Sequence, residues 1–199
     1  MPDVIVFERF ADFLTKNQRY KKSYVHNVMQ KGAYKPEQDY YLKLRQRLIS
    51  LFKKNISLRE LDNILKKITP TKFNNYEFLI EQIQTFMQGK QYSWITPPRN
   101  TVDYAGLLLT VNPEISLNID GGIYLIKMYF KKKELSPTKA RIMQKIMQDA
   151  LKDETKNIKV AIWDIRRGIL HNESVNKEIK IPYDLEQEAL IWQKYAEED

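Results

Sequence analysis

Three residues in the back half of this 199-residue chain have the types and placement to do chemistry: Glu114, Lys127 and Asp164. Lys127 is the only charge in the run Ile123 to Phe130, which is otherwise apolar or aromatic. A charged group in so apolar a strand needs a partner or a path to water. Glu114 is the nearest acid on the preceding strand. Asp164 interrupts the later run Ile158-Lys159-Val160-Ala161-Ile162-Trp163 and falls on the face of Val160 and Ile162. Two carboxylates can hold a hard cation through oxygen ligands. Such a cation acidifies a bound water and polarises a phosphoryl group. A lysine beside it stabilises developing charge or orients the water. The plainer reading is a Glu114–Lys127 cross-strand ion pair, which contributes ~0.2–1 kcal/mol and needs no active site.

The segment joining these residues predicts a hairpin. Ile115, Leu117 and Ile119 alternate with Glu114, Ser116 and Asn118, and Asp120-Gly121-Gly122 tolerates the positive φ of a tight turn. If Asp120-Gly121 is the loop, Glu114 lies opposite Lys127. If Gly121-Gly122 is the loop, Glu114 lies opposite Tyr129 and Ser116 faces Lys127. The two registers differ by two residues, so both put Glu114 and Lys127 on one face. Asp120 joins them only if it belongs to the strand.

Pro113-Glu114, the hairpin, the strand with Lys127, a helix and a further strand together resemble the core of the PD-(D/E)xK nuclease superfamily. The resemblance covers roughly 105–165. It implies a metal-dependent phosphodiesterase acting on DNA or RNA, with Mg²⁺ held by Glu114 and Asp164 and with Lys127 assisting the attacking water. Pro113-Glu114 stands where the family has Pro-Asp, and Leu125-Ile126-Lys127 where it has an acid, any residue and Lys. Leu125 therefore fills the acid slot, which makes the core a degenerate one. Superfamily members place an acid on another strand, and the resemblance gives that role to Asp164. The tracts Asn112-Pro113-Glu114, Ile126 to Lys131 and Trp163 to Gly168 are also similar to an uncharacterised bacterial family.

Basic residues flank this core. Lys131, Lys132 and Lys133, with Lys139, Arg141 and Lys145, can neutralise phosphates, or can simply guard an apolar strand and solvate a helix face. Arg166-Arg167 could grip a phosphate bidentately or form an exposed turn. Arg19 to Tyr24 interleaves basic and aromatic side chains, which suits stacking on single-stranded bases and equally suits rings packed on the body with Lys in water. His26 and His171 have no partner at metal-ligand spacing, and no HExxH, Walker or GxGxxG motif occurs.

The elements that must position these groups are read from periodicity. A helix is expected over 3–17 with Phe7, Phe10, Ala11 and Leu14 on one stripe. Residues 18–38 read as irregular, and 40–54 as a helix burying Tyr41, Leu44, Leu48, Leu51 and Phe52. Ser57 and Glu60 form a capping box opening a helix with Leu61, Ile64, Leu65 and Ile68. A helix over 75–88 should bury Phe78, Leu79, Ile83, Phe86 and Met87, with Gly89 at C′. The prolines after Trp94 mark a junction at 94–99. Beyond it come strands at 105–111, 114–119 and 123–130, a helix opened by Ser136-Pro137, a strand at 158–165, and a last helix capped by Asp184 with Gln187 and containing Leu190, Ile191 and Trp192. The fold class is α+β: a basic helical region, 1–93, followed by a small mixed sheet flanked by helices in an α/β region, 100–199, either separately or as one continuous domain.

Composition bounds the function. The absence of Cys excludes disulfides, thiolate metal sites and Cys nucleophiles. No signal-peptide pattern or membrane-length apolar run is found, so a cytoplasmic protein with no membrane partner is expected. The net charge of +8 is uneven: residues 1–100 hold 18 Lys/Arg against 9 Asp/Glu, and the remainder 15 against 16. Such asymmetry suits a polyanion such as DNA or RNA. It also allows a basic front and an acidic tail to pair between subunits of a homo-oligomer. The alternative to a nucleic-acid-associated protein is a non-enzymatic protein–protein interaction or structural protein.

Overall fold

The hairpin turn decides the register of the sheet. Asp120 and Gly121 take φ of 48° and 86°, the two positive angles of a tight two-residue loop. Strand β5 (Ile115–Ile119) therefore pairs with β6 (Gly122–Tyr129) through Ile119↔Gly122 and Ile115↔Ile126. Helix α5 (Pro137–Leu151) carries the chain from β6 to β7 (Ile158–Asp164), which lies parallel to β6. A short 3₁₀ turn and Gly168, at φ 62°, reverse the chain into β8 (Ile169–Ser174). The other edge is β2 (Tyr92–Ile95), so the five-stranded order is β2-β5-β6-β7-β8. The computed structural model describes residues 4–31, 36–151, 158–174 and 178–198.

A second sheet of three strands has the order β1-β4-β3. Here β3 (Asn100–Tyr104) and β4 (Leu107–Val111) form a hairpin about Ala105-Gly106, again with two positive φ angles. The two-residue strand β1 (Ile5–Val6) pairs in parallel with β4, Val6 beside Thr110.

Each face of the large sheet builds its own core, because side chains alternate along a strand. Ile126, Met128, Ala161 and Trp163 join Ile115 and Leu117 against helices α3 (Leu42–Lys54) and α4 (Pro70–Met87). Leu125, Tyr129, Val160 and Ile162 face α1 (Phe7–Leu14), α5, α6 (Leu185–Glu197) and the small sheet. Both cores mix residues from before and after the expected junction. Among the described residues no helix is long and apolar enough to cross a membrane.

The α+β order expected from periodicity holds, with five local corrections. Residues 18–38 are not irregular throughout: Gln18–Gln30 is helix α2, capped by Asn17. Its buried positions are only Lys21, Val25 and Val28, too few for a strong apolar stripe. The capping-box helix is a 3₁₀ segment, Leu58–Lys67. Leu58, Leu61 and Ile64 recur at three-residue spacing, which a 3₁₀ turn eclipses onto one side, and Glu60 turns to Asn63 instead of back to the cap. The helix expected over 75–88 starts earlier, at Pro70, which opens α4 (Pro70–Met87) at its N-terminus. Phe78 is exposed, not inward. The expected junction is structural: Trp94 and Ile95 pair with Leu117 and Ser116 in the sheet. Gly89 takes φ 75° after α4, and Asp184 accepts the Glu186 and Gln187 amides, both as expected.

Candidate functional site

Two parallel segments aim the site. Because β1 runs beside β4, the residues that follow them emerge at the same end. Glu8 lies two residues beyond Val6, and Asn112 two beyond Thr110, its pairing partner. Pro113 then moves the chain across to the large sheet, where Glu114 precedes β5 and its amide bonds the Ile126 carbonyl at 3.1 Å. Glu114 thus stands opposite Lys127, the first of the two registers expected from the sequence.

Lys127 lies at the centre of a cage of oxygens. Its Nζ is 2.5 Å from Glu8 Oε1, 2.8 Å from Glu114 Oε1 and 3.3 Å from the Asn112 carbonyl oxygen. The Phe7 ring closes one side, its centroid 5.5 Å from Nζ. Glu114 Oε2 accepts the Met128 amide at 2.9 Å. That bond has a simple cause: β5 begins only at Ile115, opposite Ile126, so Met128 finds a side chain where a strand would be. The side chains of Lys127 and Glu114 are 11% and 13% exposed and that of Glu8 is 30% exposed, so the cage opens on the Glu8 side.

The charges respond to this two-to-one arrangement. Burial pushes the Lys127 ammonium down, but Glu114 and Glu8 together outweigh it and hold the group above its ordinary value. Burial pushes the Glu114 carboxyl up, and Glu8 adds to the push. The single lysine and the Met128 amide recover only part of it.

A cavity of about 160 Å³ adjoins the cage. It lies along the edge of β6 that β5 leaves free. Residues 127–131 therefore line it from both strand faces, beneath Glu8 of α1 and Tyr41 and Arg45 at the start of α3. Lys131 and Lys139 stand on its rim. Both pair with Asp12, one helical turn beyond Glu8, at 3.1 Å for Lys131 and in close contact for Lys139. Burial sets the Asp12 carboxyl against ionisation, and Lys139 and Lys131 overcome it, so its pKa is lowered. Lys139 has the opposite balance. Burial, then Lys131 and Lys133, outweigh its one carboxylate and lower its pKa.

Asp164 takes a different place from the one its face suggested. It shares a face with Lys127 but pairs beside Tyr129, two positions further along. It is fully buried, and its carboxylate accepts from Arg167 at 3.1 Å. Glu8 supplies the second carboxylate on Lys127 instead. The expected metal pair Glu114 and Asp164 is thus divided between two clusters, and among the described residues no three acidic or histidine side chains form a metal-binding group. The apolar stripe of α1 gives no sign of Glu8's role. The available signal was the Glu8 and Asp12 spacing, which puts two acids on one side of α1.

The expected nucleic-acid residues divide as well. Lys132 and Lys133 are exposed on the turn after β6. Lys131 is tied to Asp12, Arg141 lies 3.9 Å from Glu173, Arg166 donates to Asn75, and Arg167 spans Asp164 and the Lys132 carbonyl. Asp120 remains in the turn, its carboxylate accepting the Gln91 amide. The basic front and acidic tail meet within one chain: Lys21 pairs with Glu188 at 2.6 Å and Lys22 with Glu198 at 2.9 Å. His26 bonds the Tyr195 carbonyl at 2.8 Å, which is a structural contact.

No family model matches the chain, and no curated protein matches its sequence.

Proposed function

We propose that this protein is nucleic-acid-associated, with Glu8, Glu114 and Lys127 forming a phosphodiesterase-type centre related to a nuclease-like core. The observation that carries the reading is the cage: two carboxylate oxygens and a backbone carbonyl converge on one cationic nitrogen beside a cavity with a lysine rim. These are hard oxygen donors of the kind Mg²⁺ takes, but Lys127 Nζ fills the point on which they converge, so Mg²⁺ would have to be held by Glu8 and Glu114 beside the ammonium, on the open Glu8 side. Mg²⁺ keeps several waters and needs only one or two carboxylates from the protein, which Glu8 and Glu114 provide. A cation held there would acidify a bound water and polarise a phosphoryl oxygen. Lys127, kept protonated by two acids, is suited to stabilise charge developing on that phosphoryl group. Lys132 and Lys133, with the rim lysines, lie where a phosphate backbone would approach.

Cleavage of single- and double-stranded DNA and RNA with Mg²⁺ or Mn²⁺ tests the reading. Activity is expected from the wild type and is expected to vanish in Glu114→Gln and Lys127→Ala. Binding without turnover, in Ca²⁺, should weaken steeply as salt rises. An inert wild type with no affinity at low salt overturns the proposal.

A second reading has its own observation. Both Glu114 oxygens are already engaged by the chain, one by Lys127 and one by the Met128 amide, as in a purely structural pair. On that reading the protein is a non-enzymatic interaction module. Binding of nucleic acid or protein without cleavage would support it.

A further inference from the structure

We infer that the cavity beside the cage is a site for one small oxyanion, a phosphate group, seated on Lys139 and Lys131. The inference concerns the second cluster on α1 and does not depend on the proposed function. It starts from an imbalance of charge. Lys139 and Lys131 share a single carboxylate, one lysine on each oxygen of Asp12. The three groups together keep one positive charge uncompensated. Lys139 is 8% exposed, so bulk water supplies little of what is missing. An ammonium has three donors. Among the described residues the Lys139 ammonium makes one hydrogen bond, to Asp12, and otherwise lies against the Tyr129 ring, 5.4 Å from its centroid. Lys139 and Tyr129 both line the cavity. A buried cation with donors to spare beside a cavity is a seat for an anion.

The space sets the size of that anion. Its volume of about 160 Å³ is several times the ~30 Å³ share of one water, and well below the ~300 Å³ at which pockets for drug-sized ligands begin. A phosphate group is of that order; a whole nucleotide is larger. Two ammonium groups on one space favour an anion with several acceptor oxygens. Lys133 adds to the positive potential at Lys139 from outside. Among the described residues Glu8 is the one acid lining the cavity, and Lys127 engages it at 2.5 Å. Met128, Phe130 and Met143 close the remaining wall with apolar groups. Entry is past the rim, where the Lys131 side chain is 56% exposed. So covered a seat admits a phosphate with at most one ester arm, which points back out past the rim. The ligand is therefore a free phosphate ion or the terminal phosphate of a larger molecule.

Isothermal titration of the whole chain at neutral pH tests the site, with ionic strength held constant by sodium chloride. The probes are inorganic phosphate, methyl phosphate and dimethyl phosphate. The first two are expected to bind, and the dimethyl ester at least tenfold more weakly. Lys139→Met removes the seat and should weaken phosphate binding about tenfold or more, the worth of one charge-assisted hydrogen bond. Asp12→Asn removes the competing carboxylate and should tighten binding about tenfold. Thermal melting confirms that each variant is folded. Should Lys139→Met not fold, Lys131→Gln on the rim is the second probe, expected to weaken binding about threefold. A short DNA strand with a terminal phosphate, compared with the same strand without it, separates the two sources. Tighter binding of the phosphorylated strand assigns the site to a strand end. Equal binding of the two strands, with inorganic phosphate still bound, assigns it to the free ion. Absence of phosphate binding at millimolar concentration overturns the inference, as does unchanged binding in folded Lys139→Met or, in its place, Lys131→Gln. Such a failure leaves the proposed function standing, because cleavage tests that reading separately.

Discussion

Helix α1 sends two acids, one turn apart, to two clusters of opposite stoichiometry. Glu8 joins Glu114 on a single lysine, whereas Asp12 is shared by two lysines, 131 and 139. In the first cluster the lysine is well served and an acid is not: Lys127 is held above its ordinary pKa and Glu114 is pushed up. In the second the acid is well served and a lysine is not: Asp12 and Lys139 are both lowered. The difference teaches that ion pairs of similar length need not be equivalent. The minority partner gains most, and a majority partner carries the burial cost with incomplete compensation.

The largest break in this comparison is the loss of the minority partner on the buried side. Lys127→Met leaves Glu114 enclosed with Glu8 as its neighbour, and breaking such a buried pair costs about 3–5 kcal/mol. Denaturant unfolding should show that loss at neutral pH. Much of it should be recovered in the double variant Lys127→Met with Glu114→Gln, because the stranded charge is gone. A double variant no more stable than the single one would show that Glu114 is not the source of the cost.

Acid titration separates the clusters by sign. Glu114 has a raised folded pKa, so its ionised form is disfavoured by folding. Its contribution to stability is present below the ordinary value of 4.5 and is lost as pH rises through the folded value. Asp12 has a lowered folded pKa, so its contribution is present above 3.8 and is lost as pH falls through the folded value. Glu114→Gln should therefore remove a gain in stability on mild acidification. Asp12→Asn should remove part of the loss below pH 3.8. Melting temperature followed against pH checks both, and curves that move in the same sense would contradict the assignment.

The smallest effect serves as the control. Arg141 and Glu173 lie 3.9 Å apart on the surface, with Arg141 60% exposed. Arg141→Gln should change stability by no more than about 0.5 kcal/mol. A larger loss would show that surface charges in this chain cooperate, and would weaken the contrast drawn between buried and exposed pairs.

Much of the fold was legible because its signals are local. Asp120-Gly121 forces a tight turn wherever it stands, and the alternation of β5 sets which side chains share a face. Ser136-Pro137 opens α5, where Ser136 Oγ accepts the Lys139 amide at 3.3 Å. The stripe Ile142, Met143, Ile146, Met147 and Ala150 is buried as its spacing requires. Helix α2 was illegible because it buries so little of itself and depends on packing against α1 and α6. Strand β3 was illegible because Asn100 to Tyr104 has no strong alternation, and its hairpin partner supplies the order. The positive φ of Ala105 has no signature in an alanine, unlike the Asp-Gly turn.

By itself the sequence determined that Lys127 must have a partner and that Glu114 lies on its side of the sheet. A lone charge in an apolar strand and a period of two leave little choice. Only the tertiary structure decided which other acid comes. Glu8 reaches Lys127 because two residues of β1 pair in parallel with β4, a contact between segments far apart in sequence and too short to leave a pattern. Asp164 has the right face but lies two positions too far along, where Arg167 reaches it across a single turn. The cavity follows from a related cause: β5 begins only at Ile115 while β6 runs on past it, and residues from the other half of the chain, Glu8, Tyr41 and Arg45, help to cover the free edge.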